Sequence, residues 1–181
     1  MRKIIVFNMV TADGFIAGSN GEIDWHNVDE AFNEYAIETF KTIETILFGR
    51  VTYEIMESYW PTESGKEDNP IVANIMNTTE KIVFSKTLKN AEWNNTAVHK
   101  YITNIEINAL KQKDGGDIIV LGSGTIVQEL TKFKLVDEYR FMINPVVLGA
   151  GKTMFNDRLN LKFLKTKEFK NGNILLCYSP Q

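Results

Sequence analysis

The sequence predicts an α/β domain built on a mixed, mainly parallel sheet, and three observations carry that prediction. Short apolar runs bounded by turn residues alternate along the chain with stretches of helical period. The early and middle runs are apolar throughout, as parallel strands are when helices cover both faces of their sheet. Near the C-terminus two runs are separated by Asn171-Gly172, a dipeptide that favours a two-residue hairpin turn, so the sheet ends in an antiparallel pair.

The first run, residues 4–10, leads directly into polar residues and reads as a first strand rather than a leader segment. A helix follows over residues 29–42, where Phe32, Tyr35, Ala36, Phe40 and Ile43 fall near one face. Further strands are expected at residues 45–48, 81–84, 97–99, 117–121, 138–147, 161–169 and 173–178. Helices are expected at residues 51–59, 72–76, 102–113 and 124–133. Residues 64–69, Ser-Gly-Lys-Glu-Asp-Asn, read as a surface loop. There is no internal repeat or low-complexity tract.

A length of 181 residues with 44% hydrophobic content suits one domain spanning residues 1–181. The net charge of -3 argues against a nucleic-acid partner, so any anion site must be made locally by a few placed residues. No run is long enough to cross a bilayer. Cys177, the lone cysteine, sits in an apolar run and reads as a small core residue, in keeping with a cytoplasmic setting. His26 and His99 have no ligand-like spacing, no G-x-S-x-G elbow exists, and no metal site is expected.

In an open α/β sheet, ligands bind outside the carboxyl ends of the parallel strands. Gly122-Ser123-Gly124-Thr125 joins a strand to a helix, and its glycines let backbone N–H groups approach an anion beside the positive end of the helix dipole. After residues 45–48 come Gly49, Arg50 and Thr52, a glycine, a guanidinium and a hydroxyl at the start of another helix. After residues 81–84 come Ser85 and Lys86. One anion needs one such site, whereas a dinucleotide with an extra phosphate uses three, which favours NADPH over NADH. Asp13, in the loop after the first strand, is a candidate proton source, and Ile16 and Ala17 can supply a flat, dry surface for a nicotinamide. Asp29 and Glu30 stand near the start of the first long helix, where a cleft-facing carboxylate could orient a substrate's ring nitrogens.

These residues resemble the dihydrofolate reductase superfamily, and within it the branch formed by the reductase domain of the bifunctional riboflavin-biosynthesis deaminase/reductase and its stand-alone relatives. The likeness rests on Val10-Thr11-Ala12-Asp13-Gly14-Phe15-Ile16-Ala17, Phe48-Gly49-Arg50-Val51-Thr52-Tyr53-Glu54, Phe84-Ser85-Lys86-Thr87-Leu88, Val120-Leu121-Gly122-Ser123-Gly124-Thr125 and residues 145–155, which follow the family's order across nearly the whole chain. It implies a mixed, mainly parallel sheet of about eight strands with helices on both faces and a C-terminal antiparallel hairpin. It also implies an NADPH-dependent reductase transferring hydride to a C=N or C=O bond of a small heterocyclic or carbonyl substrate, a pyrimidine ribosylamine of the riboflavin pathway and a pterin being the candidates. By likeness Arg50 and Thr52 hold cofactor phosphates, Ser85 and Lys86 lie near the adenosine 2′-phosphate, Gly122 to Thr125 wrap the pyrophosphate, and Ile16 and Ala17 border the nicotinamide. Asp13 matches the acidic residue of the riboflavin branch's loop, and Glu30 stands roughly where dihydrofolate reductases carry a substrate-binding carboxylate. Residues 145–155 are expected beside the cleft and near a homodimer contact. A non-catalytic nucleotide-binding or regulatory domain of the same fold is the alternative.

Overall fold

The computed structural model describes residues 1–181. In chain order its strands are β1 (Ile4–Thr11), β2 (Phe15–Ala17), β3 (Ile43–Gly49), β4 (Glu80–Phe84), β5 (Thr96–His99), β6 (Asp117–Leu121), β7 (Glu138–Asn144), β8 (Lys152–Thr153), β9 (Leu161–Glu168) and β10 (Ile174–Pro180). The helices are α1 (Glu30–Phe40), α2 (Arg50–Glu57), α3 (Glu63–Asp68), α4 (Pro70–Thr78), α5 (Asn104–Gln112) and α6 (Gly124–Lys132).

Eight strands form one sheet in the order β5-β4-β3-β6-β1-β7-β10-β9, and β2 pairs with β8 in a small separate ribbon. From β5 through β7 every pairing is parallel, and β10 runs antiparallel to both β7 and β9. The mixed sheet and C-terminal hairpin expected from the sequence are therefore present, although the hairpin closes through a longer turn than the two residues expected: the Phe169 amide donates to the Asn173 carbonyl at 2.9 Å and the Gly172 amide to the Phe169 carbonyl at 3.0 Å, and of Asn171 and Gly172 only Gly172 takes a positive φ, +91°. Register explains why the central strands are apolar on both sides. The row Val6, Val120, Leu47, Ile82 packs under α5 and α6, while Ile5, Ile119 and Ile46 lie on the opposite face under α2 and α4. Burying each such side chain stabilises the fold by about 1.5–3 kcal/mol. Helix α1 covers the β1, β7 and β10 end of that second face, against Met9, Met142 and Leu175.

Lys81 continues the Ile46 row and is fully buried. Its Nζ donates to the carbonyls of Met76 at 2.9 Å and Thr79 at 2.7 Å, closing the end of α4, and lies 4.5 Å from the Trp93 ring. Burial draws its pKa down to about 8.

Two expectations are corrected. The segment read as a surface loop is helix α3, started by Thr62, whose hydroxyl accepts from the Gly65 amide at 3.2 Å. Gly65 is required there, since a Cβ would stand 2.4 Å from the Tyr59 carbonyl oxygen. The strand expected to reach residue 147 stops at Asn144, because Pro145 has no N–H to continue the ladder. No helix is long and apolar enough to cross a membrane.

The arrangement has one consequence for ligand binding. Neighbouring strands β3 and β6 feed helices on opposite faces, α2 on one and α6 on the other, so their carboxyl ends flank a crevice at a topological switch point.

Candidate active site

A cleft of about 650 Å³ occupies this crevice. Its walls come from β1, the loop after it, α1, the start of α2 and the turn into α6. Nine of the residues singled out from sequence line it together: Ile16, Ala17, Gly49, Arg50, Thr52, Gly122, Ser123, Gly124 and Thr125.

The helix ends here differ from those elsewhere. Helices α1, α3, α4 and α5 each begin with a side chain that accepts from the first-turn backbone, from Asp29, Thr62, Asn69 and Thr103 respectively. Helices α2 and α6 begin at Gly49 and Ser123 with no side-chain cap. Their first amides are left to another acceptor, and these two ends open into the cleft.

The two ends are also tied to each other. The Gly49 amide donates to Ser123 Oγ at 2.8 Å, Ser123 Oγ donates to the Leu121 carbonyl at 3.0 Å, and the Ser123 amide donates to Thr52 Oγ1 at 3.2 Å. The Ser123 hydroxyl is thus committed inside the protein, whereas the Thr52 hydroxyl keeps its own proton for a ligand. Gly122 has φ +57°, and a Cβ there would meet Thr52 Oγ1 at 3.0 Å; a Cβ on Gly124 would meet Ile16 Cδ1 at 3.0 Å. The turn is therefore a close fit that brings bare backbone to the cleft. Arg50, at the mouth, is engaged by Glu54 at 2.7 and 2.9 Å on the exposed side of α2.

Ser85 and Lys86 do not line the cleft, although Phe84 immediately before them does. Ser85 Oγ accepts from the amides of Thr87 and Leu88 at 3.1 and 2.9 Å and builds a turn. Lys86 Nζ sits 5.5 Å from the centre of the Tyr101 ring, with Lys100 Nζ at 5.9 Å. Tyr101 is 55% exposed. This aromatic flanked by two cations lies just beyond the carboxyl ends of β4 and β5. Sequence reasoning singled out Lys86 but missed Lys100 and Tyr101, which the strand-end rule would have found had it been applied after residues 97–99.

Neither candidate carboxylate faces the cleft, and no Asp or Glu lines it. Glu30 is exposed in the first turn of α1. Asp13 accepts from the Thr11 hydroxyl at 2.6 Å and from the amides of Gly149 and Leu148 at 2.7 and 3.2 Å. The Thr11 hydroxyl, then those amides, hold its carboxyl below the usual carboxylate range. An ionised carboxylate with its oxygens so occupied is an acceptor, and its observed contacts clasp the loop. With β2 paired to β8, and Gly151 so close that a Cβ would lie 2.4 Å from the Ala17 carbonyl oxygen, the clasp fixes Ile16 and Ala17 against the cleft.

Two further lining residues were not foreseen. His26 Nε2 is buried without a hydrogen-bond partner in the chain, and the Tyr35 hydroxyl is buried near Arg140 and Thr39. Burial depresses the His26 pKa to about 4 and raises that of Tyr35. No sequence signal marked His26, which was considered only as a metal ligand.

The family model of the RibD C-terminal domain matches residues 2–175. The chain belongs to that family. Uncharacterised protein YyaP of Bacillus subtilis (strain 168) is 34% identical over 182 residues, covering 98% of this chain and 94% of that protein. Among solved structures, a protein of Shewanella sp. PV-4 assigned to riboflavin biosynthesis superposes on this RibD C-terminal domain with a TM-score of 0.74 at 22% identity, over 99% of both chains. Dihydrofolate reductase of Enterococcus faecalis, complexed with NADP(H), superposes with a TM-score of 0.65 at 18% identity over 99% of this chain and 96% of that one. The dihydrofolate reductase-like fold expected from the sequence is therefore shown.

Proposed function

We propose that this RibD C-terminal domain protein is an NADPH-dependent reductase that delivers hydride to a C=N or C=O bond of a small heterocyclic or carbonyl substrate. The observation that carries the reading is the pair of uncapped helix N-termini, α2 and α6, stitched together by Ser123 and Thr52 and opening into one cleft. An extended phosphorylated ligand suits two adjacent sets of open amides with a guanidinium at their mouth. The NADP(H) bound by the E. faecalis reductase, which shares the fold, supports the same reading.

NADPH supplies the hydride when bound. The chain's own residues do the rest: Gly122, Gly124 and Thr125 present backbone to the pyrophosphate, and Arg50 and Thr52 hold phosphate oxygens. Ile16 and Ala17 border the nicotinamide and keep water from it. Lys86 and Lys100, beside Tyr101, fit an adenosine 2′-phosphate with its base stacked on the ring. Since no carboxylate lines the cleft, the substrate's proton comes from water, and Asp13 acts by holding the loop.

Arg50→Ala is expected to weaken NADPH binding by about 1–3 kcal/mol, the range for a lost charged hydrogen bond. Glu54→Gln frees the guanidinium and is expected to tighten binding by about 0.2–1 kcal/mol. Fluorescence titration measures both, and an unchanged affinity in the Arg50 variant counts against the site. Asp13→Asn is expected to slow NADPH oxidation by roughly tenfold to a hundredfold through a misplaced loop. A wild-type pH–rate step that vanishes in this variant would instead make Asp13 the proton donor.

The bare chemistry of the cleft, with no carboxylate, favours a second reading as a non-catalytic nucleotide-binding domain. The two separate in an NADPH oxidation assay on dihydrofolate, the ribosylaminouracil phosphate of riboflavin synthesis and a panel of small carbonyls. Binding without oxidation of any of them supports the second. The reading further includes a cytoplasmic location and a homodimer; sedimentation tests the latter, and Phe163 and Leu164, exposed on edge strand β9, are open to a second copy.

A further inference from the structure

A proton drawn from water must reach the substrate atom that takes up the electron pair, and the cleft holds few groups able to pass it on. Arg50 is paired with Glu54, and a guanidinium does not give up its proton in a protein. His26 Nε2 is sealed in the wall with its ring neutral, and burial keeps the Tyr35 proton in place. The Ser123 hydroxyl is committed to the Leu121 carbonyl. The remaining hydroxyls and amides of the lining are far weaker acids than an ammonium. What is left is Lys152.

Lys152 belongs to residues 145–155, the block expected beside the cleft, and it lines the cleft. In the small ribbon it is the partner of Ala17, and a bulge at Ile16 adds a residue to β2 between this pair and the pair Phe15 and Thr153. Cross-strand partners stand about 4.5–5.5 Å apart at Cβ, so the lysine stem starts beside the two residues that border the nicotinamide on the proposed reading. Its far end is located as well. Nζ lies 3.3 Å from where a Cβ on Gly21 would stand, and Gly21 also lines the cleft. The neighbouring Glu22 carboxyl is held below its usual range by its own backbone amide, then by Asn20, and also by the charge of Lys152. Even so, Glu22 does not claim the ammonium. Its oxygens accept from the Asn20 backbone and side-chain amides at 3.0 and 2.7 Å, and Lys152 enters none of the chain's ion pairs. Lys152 is exposed, so its ammonium stands between solvent and the nicotinamide wall with a proton that no partner holds.

We propose that Lys152 is a catalytic residue that relays the water-derived proton to the substrate heteroatom. The inference rests on the reductase reading and supplies the acid which that reading lacks. In the step, the substrate carbon forms a C–H bond with the hydride given up by NADPH, the π bond of C=O or C=N breaks, and its electron pair goes to the oxygen or nitrogen. That atom forms an O–H or N–H bond with a proton from Nζ, and the neutral amine regains a proton from water. Oxidation of NADPH to NADP⁺ balances the two-electron reduction of the substrate. Before the transfer, the positive charge of Nζ stabilises the charge developing on the heteroatom.

The test uses the full chain, Lys152→Met, which keeps most of the stem, and Lys152→Arg, which keeps the charge but releases no proton. Circular dichroism checks the fold of each. NADPH oxidation is followed on dihydrofolate, the ribosylaminouracil phosphate of riboflavin synthesis and small carbonyls. On whichever of these the wild type reduces, both variants are expected to lose about a hundredfold or more in kcat, with KM within about threefold. Added ethylamine is expected to restore part of the rate to the Met variant. Two readouts are independent of turnover. NADPH affinity of the Met variant, by fluorescence titration, is expected to stay within about threefold of wild type. Acetylation of the wild type by an N-hydroxysuccinimide ester, read by peptide mass spectrometry, is expected to slow at Lys152 when NADPH is bound and to be unchanged at Lys162 on edge strand β9. Wild-type kcat in the Met variant overturns the proposal. So does full activity of the Arg variant, which makes Lys152 an anchor for an anion, and so does a loss of NADPH affinity of about tenfold or more, which makes it a cofactor phosphate ligand. Acetylation of Lys152 that ignores bound NADPH overturns it as well. If the wild type reduces nothing in the panel, the reductase reading fails and this proposal falls with it, an outcome distinct from an active enzyme indifferent to Lys152.

Discussion

Gly122→Val is expected to weaken NADPH binding roughly a hundredfold or more and to lower the stability of the fold by about 2–4 kcal/mol. Both effects start from one dihedral. Gly122 has φ +57°, a left-handed conformation that costs a side-chain-bearing residue about 1–2 kcal/mol. The new Cβ would lie 3.0 Å from Thr52 Oγ1 and 3.1 Å from Thr52 Cγ2. Moving Thr52 aside breaks its hydrogen bond from the Ser123 amide, a further loss of about 1 kcal/mol. That bond is part of the stitching between α2 and α6, so the amides at the two helix ends no longer converge. Urea unfolding and NADPH fluorescence titration measure the two effects. Wild-type affinity in a folded Gly122→Val protein would remove the turn from the cofactor site.

Acidification is expected to destabilise the protein through His26. Its ordinary pKa is 6.5, and in the folded chain it is drawn to about 4 by burial. Between these values the unfolded chain holds a proton that the native state does not, so unfolding takes up a proton and stability falls as pH falls. The contribution is complete above pH 6.5, is lost progressively toward pH 4, and levels off below. At about 1.36 kcal/mol per pH unit it amounts to about 3 kcal/mol. Carboxylates that titrate in the same range are common to the His26→Gln variant, so the difference between the two proteins' urea-unfolding curves isolates the histidine. That difference should narrow in favour of the variant from pH 7 to pH 4.5, and a constant difference refutes the burial of a neutral ring.

Much of this molecule could be read before folding because the signals were local. Asn171-Gly172 made its hairpin, and the Gly122–Thr125 turn made a strand-to-helix entry, since each depends on backbone preferences within a few residues. What was hidden depends on distant partners. Lys81 looks like the polar start of a strand; that it is buried depends on Trp93 and on the carbonyls at the end of α4. Asp13 has the look of a catalytic acid, yet beside the neighbouring Thr11 hydroxyl its contacts are amides 135 and 136 residues further along the chain. Helix α3 was missed because its glycine, a helix breaker by intrinsic preference, is demanded by the Tyr59 carbonyl. His26 carried no pattern at all, because its isolation is a property of the walls around it.

The two open helix ends tie occupancy to lifetime. A nucleotide seated there supplies the caps that α2 and α6 do not encode, so it becomes part of the secondary structure. Ligand at a hundred times its dissociation constant adds about 2.7 kcal/mol to the folded state. On the proposed reading, a cell short of that nucleotide would hold more of this protein with the first turns of both helices frayed, exposed to amide exchange and proteolysis, and its abundance would track the nucleotide's supply.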